Sequence, residues 1–256
     1  MIAYHAVLTK FCDEFGEKAI DGATSDQILE FLNRITEGTK QQTRHVRYGH
    51  LSAFFNFITA NIDPDFHNPC STPILRKMFK AKPIPAWEII EKDVVDEIIF
   101  RTDKPRDRLI LELMARGGMR IGEVLKLTPA DIQERKLTLR SPKSGKRREH
   151  VFIPQKVADR LKAYIRDNNI QPNQRIFPIC YETARTMVKK AGEKVGIRLR
   201  PHDLRRHAAT YASRSGVPIE IVSKVILRHA NLSTTQIYLG KVPDTEAMRW
   251  IENLYA

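Results

Sequence analysis

The sequence predicts a mainly α-helical protein with one small antiparallel β-sheet, and three observations lead there. Apolar residues recur at helical spacing along most of the chain. The pattern changes to alternation in two short neighbouring runs, Lys136–Arg140 and His150–Ile153. Two prolines, Pro83 and Pro85, interrupt the helical pattern about a third of the way along. With 42% hydrophobic residues, the 256-residue chain has ample material for a core, which excludes a disordered polypeptide.

Each element has a local reason. Ile2, Val7, Leu8, Phe11 and Phe15 lie near one stripe of a helix over residues 2–16. A second helix begins at Thr24 or Ser25: Thr24 and Gln27 have capping-box spacing, and Ile28, Phe31, Leu32 and Ile35 form its apolar face. A third runs from about Lys40 to Asn61, basic in its first half and aromatic in its second. A short fourth covers Ile74 to Lys80. These make a small helical domain over residues 1–80, followed by an extended connector at 81–86 and a second domain over 87–256.

The second domain opens with a helix near Lys92 to Arg101. The next starts at Pro105, a good first helical residue, and stops near Gly117-Gly118. A further short helix holds Arg120 to Leu127. The two alternating runs make a hairpin whose turn contains Pro142, Ser144 and Gly145, with Lys143, Lys146, Arg147 and Arg148 on it. Beyond Pro154 the pattern is helical again, ending in an amphipathic helix from Asp244 with Ala247, Trp250, Ile251 and Leu254 on one side.

Charge narrows the function. Forty-three Lys and Arg against 30 Asp and Glu give a net charge of +13, a field suited to a polyanion, nucleic acid above all. Cys12, Cys70 and Cys180 are sparse and unpaired, so free thiols in a reducing compartment, most of them buried, are expected. There is neither a signal peptide at the start nor an apolar run long enough for a membrane span, and the expected location is the cytoplasm. No metal-ligand spacing or phosphate-binding glycine loop occurs, so any phosphoryl chemistry would fall to side chains alone.

Four segments could supply those side chains: Gly118-Met-Arg120-Ile-Gly-Glu123, the turn with Lys143, Pro201-His202-Asp-Leu-Arg205-Arg206-His207, and Leu227-Arg-His229 followed nine residues later by Tyr238. Each has a plainer reading. Arg120 with Glu123 reads equally as a helix ion pair, the basic turn as a solvated hairpin tip, and His202 as a cap. Residues 216–238 also suit a helix-turn-helix.

Taken in order, these motifs resemble the tyrosine recombinases, or phage integrases, and among them the Xer-like proteins. The resemblance covers about Trp87 to Ala256, and residues 1–80 are similar to that family's helical, SAM-like core-binding domain. It implies a site-specific DNA recombinase acting on a duplex recombination site, with no cofactor, no metal and no ATP. Arg120 and Arg205 would clamp the nonbridging oxygens of the phosphodiester. Tyr238 would attack phosphorus to give a 3′-phosphotyrosyl intermediate. His202 would take the phenol proton or hold the phosphate, His229 would donate a hydrogen bond to it, and Lys143 would protonate the leaving 5′-oxygen, with Lys146 as second candidate. Arg44, Arg47, Lys146, Arg147 and Arg148 are the expected DNA contacts, weakening with salt. The resemblance also implies a tetramer on DNA, joined through the C-terminal helix. A non-catalytic DNA binder would not need the tyrosine, and the short chain argues against a type IB topoisomerase. One residue departs from the family pattern: Arg228 stands where glycine usually precedes the second histidine, and the arginine implies either a further phosphate contact or a looser site.

Overall fold

The computed structural model describes residues 2–16, 22–82, 89–140, 148–239 and 244–255. The chain divides into two compact units, Met1–Pro85 and Ala86–Ala256.

In the first unit, helices α1 (Ile2–Phe15), α2 (Ser25–Ile35), α3 (Gln41–Asn61) and α4 (Pro73–Met78) surround an aromatic core. The capping box at the start of α2 forms: Gln27 N–H donates to Thr24 Oγ1 at 3.3 Å and Thr24 N–H to Gln27 Oε1 at 3.0 Å. This fixes the helix phase that buries Ile28, Phe31 and Leu32. Phe11 of α1 meets Phe31 and Phe55 edge-on, with ring centroids 5.6 and 5.5 Å apart. Cys70 lies buried here, but Cys12 and Cys180 are exposed, which corrects the expectation that most thiols are buried. Cys12 sits on the outer side of α1, away from the stripe of Val7, Phe11 and Phe15, and Cys180 lies just ahead of a helix.

The second unit is organised by α6 (Pro105–Gly117), which is buried over almost all its length from Leu109 to Ala115. Around it lie α5 (Lys92–Phe100), α8 (Gln155–Asp167), α9 (Tyr181–Glu193) and α10 (Pro201–Arg214). A helix buried on nearly all sides must satisfy any charge it carries. Glu112 does so by accepting from Arg160 Nε at 3.0 Å and Nη2 at 2.5 Å.

Strands β1 (Ile132–Gln133), β2 (Lys136–Arg140) and β3 (Arg148–Phe152) form an antiparallel sheet in that order. Leu137 pairs with Val151 and Leu139 with Glu149. Strand β1 is too short to leave an alternating signature. β3 starts two residues earlier than its apolar pattern indicates, because the inward position there is filled by Glu149, a charged residue that reads as surface. Helix α7 (Ile121–Val124) is shorter than the expected Arg120–Leu127. Thr128 precedes Pro129, which disfavours helical backbone there, and the chain leaves through tight turns at Lys126 and Leu127. Residues 216–238 are not a helix-turn-helix: a single turn, α11 (Ile219–Ile221), runs into a π-helical turn, Val222–Ile226, and only then comes α12 (Leu232–Leu239). Helix α13 (Asp244–Tyr255) closes the described chain and leaves Met248 and Ile251 exposed.

Candidate active site

Three local devices place the candidate side chains. Helix α6 ends at Gly118, which takes left-handed backbone (φ 60°) and turns the chain toward Arg120. Arg120 is the N-cap of α7, and Glu123 folds back on it. The Glu123 carboxylate accepts from Arg120 N–H at 2.8 Å through Oε2 and from Arg120 Nη1 at 2.6 Å through Oε1. The ion-pair reading holds, and the carboxylate fixes the direction of the guanidinium. A cavity of about 610 Å3 opens beside this pair, lined also by Lys126, Thr138 and Arg140.

Helix α10 begins with Pro201, and Asp203 caps it by accepting from Arg200 N–H at 2.9 Å. This start puts His202 in the first turn, open to solvent, and Arg205 one turn further, fully buried. A buried guanidinium requires acceptors. Arg205 donates through Nη1 to the carbonyl of Gly118 and through Nη2 to that of Leu227. One side chain thus joins the turn before Arg120 to the turn before His229.

The π-helical turn delivers the third segment. His229 N–H donates to Ser223 O at 2.9 Å. The His229 ring meets Thr235 through Nδ1 at 3.0 Å, and Thr235 Oγ1 donates to Ser223 Oγ at 2.9 Å. Thr235 and Ser223 are buried. Thr235 lies on α12, three residues before Tyr238, so the second histidine is tied to the helix that carries the tyrosine.

Electrostatics follow from this crowding. Desolvation, then the charges of Arg206, Arg205 and Arg120, push His202 down to about 4. The cations are the part of this effect that survives at a residue as accessible as His202. Desolvation and Arg205, Arg120 and Arg228 push His229 down to about 4 as well. At neutral pH both imidazoles are uncharged. Burial acts to raise the Glu123 carboxyl, but Arg228 and the two contacts from Arg120 outweigh it and hold it below the usual carboxylate range.

The structure thus gathers Arg120, His202, Arg205 and His229. Tyr238 lies on α12, and its side chain is outside the described residues, as are Lys143, Lys146 and Arg147. Arg148 opens β3, exposed, opposite Arg140. In the first unit Arg44 donates to Asn33 Oδ1 at 2.7 Å and lies over the Phe79 ring, and Arg47 donates to Ile35 O. Arg228 matches neither arrangement expected for it. Its side chain is turned inward, 3% exposed, with Nη2 2.7 Å from Glu123 Oε2. Sequence reasoning did not single out Thr235, Ser223 or Glu149. For Thr235 the signal was its place one helical turn before Tyr238; the sequence pattern marked neither Ser223 nor Glu149.

Among the described residues no group of His, Cys, Asp or Glu is placed to hold a metal ion, and no helix is long and apolar enough to cross a membrane.

This fold and this set of convergent side chains place the second unit in the class of tyrosine recombinases. Residues 88–243 match the sequence model of the Phage integrase family, and the chain belongs to that family. It is 31% identical to tyrosine recombinase XerA of Pyrococcus furiosus over 245 residues, 90% of this chain and 80% of that one. Against XerA of Pyrococcus horikoshii the identity is 35% over 241 residues, again 90% and 80% of the two chains. Among solved structures the fold is similar to that of the XerH site-specific recombinase bound to palindromic difH substrate in a post-cleavage complex. There the TM-score is 0.74 and the identity 19%, over 99% of this chain and 79% of that one.

Proposed function

We propose that this protein is a site-specific DNA recombinase that cleaves and rejoins strands through a 3′-phosphotyrosyl intermediate on Tyr238, without metal or ATP. One observation carries the reading: Arg205 bonds the turns that hold Arg120 and His229, while Thr235 links His229 to the tyrosine's own helix. Arg120 and Arg205 bind the nonbridging oxygens, where charge gathers in the transition state. His202 and His229, uncharged in the free protein, share hydrogen bonds with the phosphate and with the phenol. Lys143 protonates the leaving 5′-oxygen, with Lys146 as the alternative donor. The phosphotyrosyl ester keeps the energy of the bond it replaces, so rejoining needs no external source.

The partner in this reading is a duplex recombination site, bound with Arg147, Arg148 and the helical first unit, where Arg44 and Arg47 are the candidate contacts. Helix α13, with Met248 and Ile251 exposed, docks on a neighbouring subunit of a tetramer. The protein acts in the cytoplasm.

The test uses nicked suicide duplexes with randomised arms. The wild type forms an adduct that survives denaturation, and the cleaved sites are recovered by sequencing. Tyr238→Phe forms none. An adduct of equal yield in Tyr238→Phe refutes the assignment.

A further inference from the structure

Arg228 has a left-handed backbone, φ 53°, a conformation that an L side chain adopts at a cost and glycine adopts freely. Its guanidinium is nevertheless buried and heavily engaged. Nη2 donates to Glu123 Oε2 at 2.7 Å and lies 3.4 Å from Gly118 O, and Nη1 donates to Ile226 O at 2.7 Å. On its other side, Nε lies 3.6 Å from Glu149 Oε2 on β3. Glu149 is 5% exposed, and its carboxylate accepts no hydrogen bond among the described residues. Two carboxylates from different elements, Glu149 buried and Glu123 half-buried, therefore meet at one buried cation. One of them, Glu123, holds Arg120 by both its backbone and its side chain.

We propose that Arg228 is a positioning residue: clamped between Glu123 and Glu149, it fixes the carboxylate that aims Arg120 and ties strand β3 to that same point. The proposal rests on the recombinase reading for the task it assigns to Arg120, but not for the geometry. Without Arg228, two carboxylates, one of them buried, would stand close together with Arg120 as the nearest remaining cation to Glu123. Glu123 would then take up a proton more readily and release its grip on the guanidinium. The groups facing this cluster are Arg120 at the start of α7, Glu149 on β3, and Arg205 through the Gly118 carbonyl it shares with Arg228. His229 also feels Arg205, Arg120, Arg228 and His202.

Glycine suits the backbone at this position, so Arg228→Gly removes the charge with the least strain. In DNA-free protein carrying ¹³C-labelled glutamate, the Glu123 carboxyl of Arg228→Gly titrates about one pH unit or more above its wild-type midpoint. Adding Glu149→Gln to that variant brings the midpoint part of the way back. Glu149→Gln alone, which removes no volume, moves it downward and serves as the test if Arg228→Gly does not fold. In the suicide-duplex assay, Arg228→Gly cleaves roughly 10- to 100-fold more slowly, with the acid limb of its pH profile displaced upward and duplex affinity nearly unchanged. An unmoved Glu123 midpoint overturns the proposal, as does a cleavage loss uniform in pH with no recovery in the double variant. If the wild type forms no adduct with any duplex in the pool, the recombinase reading fails, and the carboxyl titration still decides the role of Arg228.

Discussion

Gly118→Ala should damage the second unit out of proportion to the one methyl group it adds. At φ 60° an alanine pays about 1–2 kcal/mol for left-handed backbone. Its Cβ would also sit 2.8 Å from Ile226 Cγ2 and 2.9 Å from the Ile226 carbonyl oxygen. The isoleucine methyl can move aside, but the carbonyl belongs to the π-helical turn and accepts from Arg228, so it cannot retreat without disturbing the site. Overpacking of that kind costs about 1–3 kcal/mol. Together the two effects come to roughly 3 kcal/mol, which for a domain of this size lowers the melting temperature by ~6–12 °C. Scanning calorimetry measures this directly. Gly122→Ala is the control, because a Cβ there meets nothing within 4 Å and the residue lies inside α7, where alanine is favoured by up to about 1 kcal/mol. A Gly118→Ala protein that melts within 2 °C of the wild type, a shift of about 1 kcal/mol or less, or above Gly122→Ala, would show that the turn does not constrain the site as described.

Other outcomes follow from the same geometry. Thr235→Val keeps the shape of a buried residue but strips His229 Nδ1 and Ser223 Oγ of a partner, at a cost of about 1–3 kcal/mol; urea unfolding measures the loss, and an unchanged midpoint counts against the link. The histidines set an acid limit. Burial and nearby cations hold folded His229 down to about 4, against 6.5 when unfolded, and the cations around His202 shift it in the same direction, so in this range the unfolded chain binds more protons. Stability is therefore complete above pH 6.5 and falls as pH drops toward 4; His229→Gln should flatten that dependence in thermal melts. Burial pushes the Cys70 thiol up to about 12, while hydrogen bonds from Thr183 and nearby backbone lower exposed Cys180. Iodoacetamide should modify Cys180 first, then Cys12, and Cys70 only after unfolding, as read by mass spectrometry.

Much of this architecture is legible in the sequence because it rests on local chemistry. Thr24 and Gln27 announce a helix start that needs no tertiary contact, and Pro105 with Gly118 brackets α6 in the same way. The site motifs are legible as residue types for the same reason. What is not legible depends on backbone direction and on partners distant in sequence. Arg228 reads as a further phosphate contact or the mark of a looser site, and only the left-handed turn sends it inward. Glu149 falls just outside the expected strand, yet it occupies an inward position of β3, where a cation from 79 residues away faces it. The π-helical turn has no signature in composition, although it decides where His229 stands.

Thr235 and Tyr238 belong to one short helix, three residues apart. In the proposed recombinase, a displacement of this helix would carry off the nucleophile and, in the same movement, the anchor of the His229 imidazole. On that reading one displacement would couple the two losses, and the return of the helix would restore both.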